Sequence, residues 1–197
     1  MRRVVKVGGS LLLRDDLPQS LEQWIGRQSA AQTFVIVGGG ELIDAIRSLD
    51  QLRPSDPALI HWLCVDLLQS TFRLAANWLA RWQAIDSPPE LDRVAASCGV
   101  DETFLVSVRS FYHRDSGSDL PISWDTTTDS IAAELALRVD ADELVLLKSC
   151  DVDSAADVFQ LVREGIVDPV FPRIAAKLPT IRVERLSGAS ERSAPPG

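Results

Sequence analysis

Apolar residues along the chain fall into two alternating textures. Short runs rich in β-branched residues occupy 3–7, 33–37, 104–108, 143–147 and 180–183, and each predicts a buried strand. Longer stretches between them repeat their apolar positions every three or four residues, which predicts helices over 17–30, 41–49, 57–83, 90–98, 130–139 and 154–164. In the second of these, Leu42, Ile43, Ala45, Ile46 and Leu49 keep helical spacing. Asp125-Thr126-Thr127-Thr128-Asp129 supplies capping side chains for the helix over 130–139. Residues 110–123 read as a polar loop, and 187–197 as a small, polar, proline-bearing tail that frays.

Strands that alternate with helices predict an α/β fold, a three-layer αβα sandwich around a mostly parallel open sheet. A single domain is expected over residues 1–186. In such sheets ligands bind at the carboxyl ends of the strands, and the two glycine runs and Lys148 fall at those ends. The stretch 57–83 is apolar around most of its circumference, so it must be buried on more than one side. A central core helix and a helix that forms part of a homodimer contact both satisfy that pattern.

Composition narrows the picture. Of 197 residues, 46% are apolar and 24% charged, a balance that belongs to a folded soluble domain. A net charge of −8 argues against nucleic acid as a partner. The most apolar long stretch, 58–82, carries His61, Asp66, Arg73 and Arg81, a poor membrane span. The apolar run after Met-Arg-Arg is too short for a signal peptide, and Cys64, Cys98 and Cys150 are scattered, so a cytoplasmic location is expected. Two histidines and no clustered ligands make no transition-metal site, and the tryptophans at 24, 62, 78 and 82 read as packing residues. His61 reads as a core or interface residue and His113 as a loop residue. The 20 basic side chains divide into 17 Arg and 3 Lys, which singles out Lys6, Lys148 and Lys177.

Four segments carry candidate chemistry. Lys6-Val7-Gly8-Gly9-Ser10 ends a strand in two glycines whose amides can approach an anion, with Lys6 projecting to the same side as Gly8. It is not a Walker A loop. Gly38-Gly39-Gly40-Glu41 repeats the strand-to-glycine pattern and leads into a helix N-terminus, which adds partial positive charge. Asp129 lies near the start of its helix, where it can orient lysines or a substrate. Lys148-Ser149-Cys150-Asp151 ends a further strand.

In this order the segments resemble the amino-acid kinase superfamily, which includes carbamate, acetylglutamate, aspartate, glutamate 5- and uridylate kinases. The resemblance spans residues 4 to about 185 and covers Thr127-Thr128-Asp129-Ser130-Ile131-Ala132-Ala133 and Leu147-Lys148-Ser149-Cys150-Asp151-Val152. Gly-Gly-Gly-Glu-Leu-Ile at 38–43, His61, and the late Val167-Asp168-Pro169-Val170-Phe171-Pro172 are similar to one branch. That branch contains an archaeal methanofuran-biosynthesis kinase, which phosphorylates an aminomethylfuran-methyl phosphate in one-carbon cofactor synthesis.

The resemblance implies ATP-dependent phosphoryl transfer with Mg²⁺ to a small-molecule acceptor. Lys6 with Gly8, Gly9 and Ser10 would hold the moving phosphoryl group, and Gly38, Gly39 and Gly40 the acceptor. Asp129 and Lys148 would organise charge, and Ser149 and Asp151 would face the nucleotide. The N-terminal half would be the acceptor side and about 120–186 a shortened nucleotide side, with a trimmed adenine pocket. Residues 165–177 stand where the superfamily has a Gly-Gly-Met segment and a second lysine, and Lys177 is the candidate for that role. The alternative is a non-catalytic ligand-binding or partner subunit that keeps the fold.

Overall fold

Six strands carry the sheet: β1 (Arg2–Val7), β2 (Gln32–Val37), β3 (Gln83–Ile85), β4 (Glu102–Val106), β5 (Glu143–Lys148) and β6 (Ile181–Arg185). The structure, a computed structural model, describes residues 1–97, 99 and 101–189. Among these, seven helices surround the sheet: α1 (Leu17–Gly26), α2 (Glu41–Leu52), α3 (Pro57–Trp78), α4 (Pro88–Ala96), α5 (Thr128–Arg138), α6 (Val158–Arg163) and α7 (Phe171–Ala175). The strand order is β3-β4-β2-β1-β5-β6, and every adjacent pair runs parallel. The expected α/β sandwich is present, with a sheet that is parallel throughout the described residues.

Strand parity decides which layer each side chain joins. Val4, Phe34, Ile36, Phe104, Leu144 and Leu146 pack on one face against α4, α5 and the first half of α3. Val5, Val7, Val35, Val37, Val145 and Leu147 pack on the other against α1 and the second half of α3. Helix α3 therefore serves both cores, with Trp62, Val65 and Leu68 in one and Phe72 and Ala75 in the other. That is why its apolar residues extend around the helix. Helix α5 brings Ala132, Ala133 and Ala136 to the sheet fully buried, and these small side chains let its backbone lie close over β1.

Several boundaries differ from expectation, each for a local reason. Helix α3 stops at Trp78, because Leu79 leaves helical geometry while it is buried in the core. Residues 83–85 then pair with β4 rather than extend the helix, which buries Ile85 completely. Helix α1 ends at Gly26, where Arg27 and Gln28 close the end with three-residue turns onto Trp24 and Ile25. Helix α6 begins at Val158 because the Asp157 carboxylate caps Gln160 N–H. Trp78 is 40% exposed instead of packed. The chain stays attached beyond residue 186: Leu186 N–H donates to Lys148 O, and Ala189 N–H donates to Asp16. Cys98 and the expected tail from residue 190 onward lie outside the described residues. No helix among the described residues is long and apolar enough to cross a membrane.

A buried ion-pair knot ties the amino ends of the central strands. Arg3, 2% exposed, donates from Nε to Glu143 at 2.7 Å, and Arg182 donates to the other Glu143 oxygen at 2.7 Å. Removing one partner of such a pair leaves an uncompensated charge. Glu143→Ala is expected to lower the unfolding free energy by about 3 kcal/mol. Replacing both partners, Arg3→Met with Glu143→Leu, is expected to cost less, and denaturant titration of the two variants checks the order.

Candidate active site

The two glycine runs meet backbone to backbone. A Cβ on Gly9 would lie 2.2 Å from Gly40 N and 2.7 Å from Gly40 Cα. Gly40 itself has φ +55°, in the left-handed region, so the contact requires glycine on both sides. Gly8 N–H donates to Leu147 O and Gly38 N–H donates to Val7 O, which extends the strand ladders by one step. Those two amides are engaged, so Gly8 and Gly38 serve the site through close approach rather than as donors. The N–H groups of Gly9, Gly39 and Gly40 have no acceptor among the described residues; Gly39 and Gly40 lead into the N-terminus of α2, and Gly9 opens a short 3-10 turn over Gly9–Leu13. They are the donors this rim can offer an anion. Ser10 Oγ and Ser149 Oγ lie 2.8 Å apart and join the β1 loop to the β5 loop.

Beside this floor stands a buried charge cluster. Lys6 on β1 and Lys148 on β5 share a sheet face, since Lys6 pairs with Leu146, two residues before Lys148. Asp129, in the first turn of α5, lies between them, with Oδ2 2.8 Å from Lys148 Nζ and Oδ1 2.9 Å from Lys6 Nζ. The Lys148 contact is a hydrogen bond, while the Lys6 contact is an ion pair outside hydrogen-bond alignment. Burial pushes the Asp129 carboxyl up, but the two ammonium groups outweigh it and hold the group below its ordinary range. Burial first, and the Lys6 charge second, pull Lys148 below the ordinary lysine range.

A cavity of about 220 Å³ adjoins the glycine floor. Ile43, Val65, Leu68 and Ile131 form an apolar wall, and Thr126, Thr127 and Thr128 line the side nearest Asp129. At the mouth Arg47 pairs with Asp44 and lies 5.1 Å over the Trp124 ring, while Trp124 Nε1–H donates to Asp50. His61 also lines the cavity, yet both its nitrogens are engaged. Nδ1 donates to the Ser123 carbonyl, so Nε2 accepts the Tyr112 hydroxyl proton, and burial keeps the ring neutral. His61 is thus a strut between α3 and the loop. Burial pushes the Cys64 thiol up to about 11, which keeps it protonated.

Lys6, Gly9, Ser10, Gly39, Gly40, Asp129, Lys148 and Ser149 thus converge on one rim. Asp151 lies further out, its side chain exposed and paired with Arg185, along a separate cavity of about 450 Å³ between β6 and residues 151–158. Lys177 is elsewhere, lining a cavity with Glu134 and Arg173. No site role was expected for Ile43, Asp44, Arg47 or Asp168. Ile43, Asp44 and Arg47 share a face of α2 just after the glycines, a spacing that was there to be read. Asp168 is buried under the first turn of α5; the resemblance of residues 167–172 marked its segment without giving it a role.

No family model matches the chain. It is 24% identical over 160 residues to the [5-(aminomethyl)furan-3-yl]methyl phosphate kinase of Methanocaldococcus jannaschii, across 79% of this chain and 68% of that protein. Among solved structures, the UMP kinase from Ureaplasma parvum is similar with a TM-score of 0.66 at 14% identity, covering 94% of this chain and 90% of that one. The uridylate kinase from Archaeoglobus fulgidus matches with a TM-score of 0.60 at 19% identity, over 97% and 93%. Aspartate kinase from Synechocystis matches with a TM-score of 0.66 at 15% identity, over 100% of this chain but 40% of its own. By overall superposition, the chain shares the α/β fold of these amino-acid kinases.

Proposed function

We propose that the chain is an ATP-dependent phosphotransferase whose acceptor is a small acid or phosphate monoester. Within that class, the likeness to the archaeal kinase favours a furan-methyl phosphate of one-carbon cofactor synthesis. The observation that carries the reading is the buried Lys6–Asp129–Lys148 cluster beside the open amides of Gly9, Gly39 and Gly40. Phosphoryl transfer needs little beyond alignment and compensation of charge on the moving group. Lys6 and Lys148 supply two positive charges, and Asp129 keeps them together in a site from which water is largely excluded.

In this reading the acceptor occupies the 220 Å³ cavity, with its attacking oxygen directed to the glycine floor. The nucleotide lies across Ser149 toward Asp151 and the cavity beside β6. An acceptor oxygen forms the new P–O bond as the bond from the γ-phosphorus to the bridging oxygen breaks, and ADP leaves with that oxygen. Among the described residues no three His, Cys, Asp or Glu side chains cluster as a metal cage, and both Asp129 oxygens face lysines. Mg²⁺ therefore fits as a companion of the nucleotide phosphates, where it would neutralise their charge. The same reading has the acceptor half before about residue 120, a nucleotide half after it, and a cytoplasmic enzyme.

A homodimer completes this proposal. Helix α2 buries no side chain, and Leu42, Leu49 and Leu52 on it, with Leu59, Leu63 and Leu74 on α3, are exposed. A second copy is the occupant that would cover them. Light scattering is expected to give twice the chain mass, and Leu49→Glu with Leu63→Glu is expected to halve it.

Turnover tests the chemistry. ATP consumption with [5-(aminomethyl)furan-3-yl]methyl phosphate is expected to exceed that with UMP or aspartate. Lys6→Ala and Asp129→Asn are each expected to reduce kcat by about 10² to 10³-fold. Full turnover in Lys6→Ala would sink the mechanism, and absence of nucleotide binding by calorimetry would favour the non-catalytic alternative. The pH profile has a signed expectation as well. The Lys148 ammonium is lost as pH rises through a lowered value, so the alkaline limb of kcat/KM falls below the ordinary lysine value of 10.5. The Asp129 carboxylate persists below its ordinary value of 3.8, so it sets no limb near neutrality.

A further inference from the structure

Asp168 sits on the connection between α6 and α7, 5% exposed, and receives six hydrogen bonds. Oδ2 accepts from Thr127 N at 3.1 Å, Thr127 Oγ1 at 2.8 Å and Ser130 N at 3.0 Å. Oδ1 accepts from Ser130 Oγ at 2.5 Å, Val170 N at 3.1 Å and Phe171 N at 2.9 Å. A carboxylate has about four lone-pair directions, so this one is saturated. Its donors lie on two elements far apart in sequence, the first turn of α5 and the turn that opens α7.

Asp129 is enclosed within that arrangement. It stands between Thr127 and Ser130, both held by Asp168, and the Thr127 hydroxyl also accepts Asp129 N–H at 3.3 Å. A helix N-terminus attracts an anion, and at α5 the chain supplies that anion itself. The Thr127 and Ser130 amides are thereby occupied by Asp168 and the Asp129 amide by the Thr127 hydroxyl, and the Asp129 carboxylate is left to the lysines. Thr126, Thr127 and Thr128, which line the acceptor cavity, belong to the same clamped segment.

We propose that Asp168 is a positioning residue: its carboxylate clamps the first turn of α5 so that Asp129 faces Lys6 and Lys148 while Thr127 and Thr128 hold the edge of the acceptor cavity. The proposal rests on reading the lysine–aspartate cluster as the phosphoryl-transfer centre. Charge acts in the same direction as geometry. The facing groups are Lys6 from β1, Lys148 from β5 and Asp129 from α5, and the Asp168 charge favours the Lys148 ammonium. Asp168 does not touch the space left for substrate, so it acts through Asp129.

Asp168→Asn is a severe change, because one oxygen becomes an NH₂ group facing three donors. Ser130→Ala is the mild one, since it removes the 2.5 Å bond and leaves the charge and the other five. The chain has only three lysines, so protein grown with [¹³Cε]-lysine gives three side-chain NMR signals. Lys177, in its separate cavity, is the internal reference. In both variants the Lys6 and Lys148 signals are expected to move while Lys177 stays, and in Asp168→Asn the Lys148 signal titrates at lower pH than in wild type. In turnover assays Asp168→Asn is expected to lose about 10²-fold in kcat, with KM for ATP changed less than about threefold.

A purely structural role would lower the melting temperature of the folded variants and leave the Lys6 and Lys148 signals and kcat as in wild type, and that result overturns the proposal. If Asp168→Asn does not fold, unchanged Lys6 and Lys148 signals in Ser130→Ala overturn it alone. The NMR arm needs neither ATP nor acceptor. A lysine response in the variants, with a wild type that turns over no acceptor, supports the clamp and counts against the kinase reading instead.

Discussion

Two ammonium groups buried on the same sheet face repel one another, and the single carboxylate of Asp129 is what makes their proximity tolerable. This arrangement constrains much of the fold around it. Parallel pairing of β1 with β5 must keep its register, because a slip of one residue would send Lys148 to the opposite layer. Helix α5 must begin where it does, since its first turn carries the carboxylate. Close packing of α5 on β1, through buried alanines, brings that turn within reach of the strand ends. Register, helix start and packing are thus three requirements of one ion cluster.

The polar cluster is stable only because its surroundings are apolar and dense. Val4 and Leu146 on the sheet and Ile131 and Ala132 on α5 are buried on the face that carries the lysines. A low dielectric strengthens the lysine–aspartate attraction, and it also explains why Lys148 gives up its proton more readily than an exposed lysine. Attraction and desolvation act on the same atoms with opposite sign. The balance leaves Asp129 ionised and Lys148 easier to neutralise.

Much of this was legible in the sequence because it is encoded locally. A strand, two glycines and a lysine two positions earlier form one contiguous phrase, and Lys6 and Lys148 both fall at or near strand ends, although their common face needs the β1–β5 register. Capping chemistry at Thr127 located the start of α5 to within two residues. What remained hidden depends on long-range pairing. Residues 83–85 form a strand only because β4 is there to receive them, and three residues carry no periodicity of their own. Asp168 finds its helical donors 38 and 41 residues earlier in the chain. Lys177 looked equivalent to the other lysines by type, but only the folding of α7 decides which cavity it joins. The free amides also had to be seen in space, since Gly8 and Gly38 are indistinguishable in sequence from Gly9 and Gly39 until the ladders are drawn.

The contact between Gly9 and Gly40 has an evolutionary corollary. A cavity floor made of bare main chain cannot be retuned by substitution, since the first carbon added to it collides with backbone. Divergence toward a new acceptor is therefore channelled into the walls, to Ile43, Asp44 and Arg47 on α2 and to the loop that carries Trp124. One half of the pocket is frozen and the other is free to vary. Related chains would then share the floor and the lysine pair while differing most along one face of a single helix.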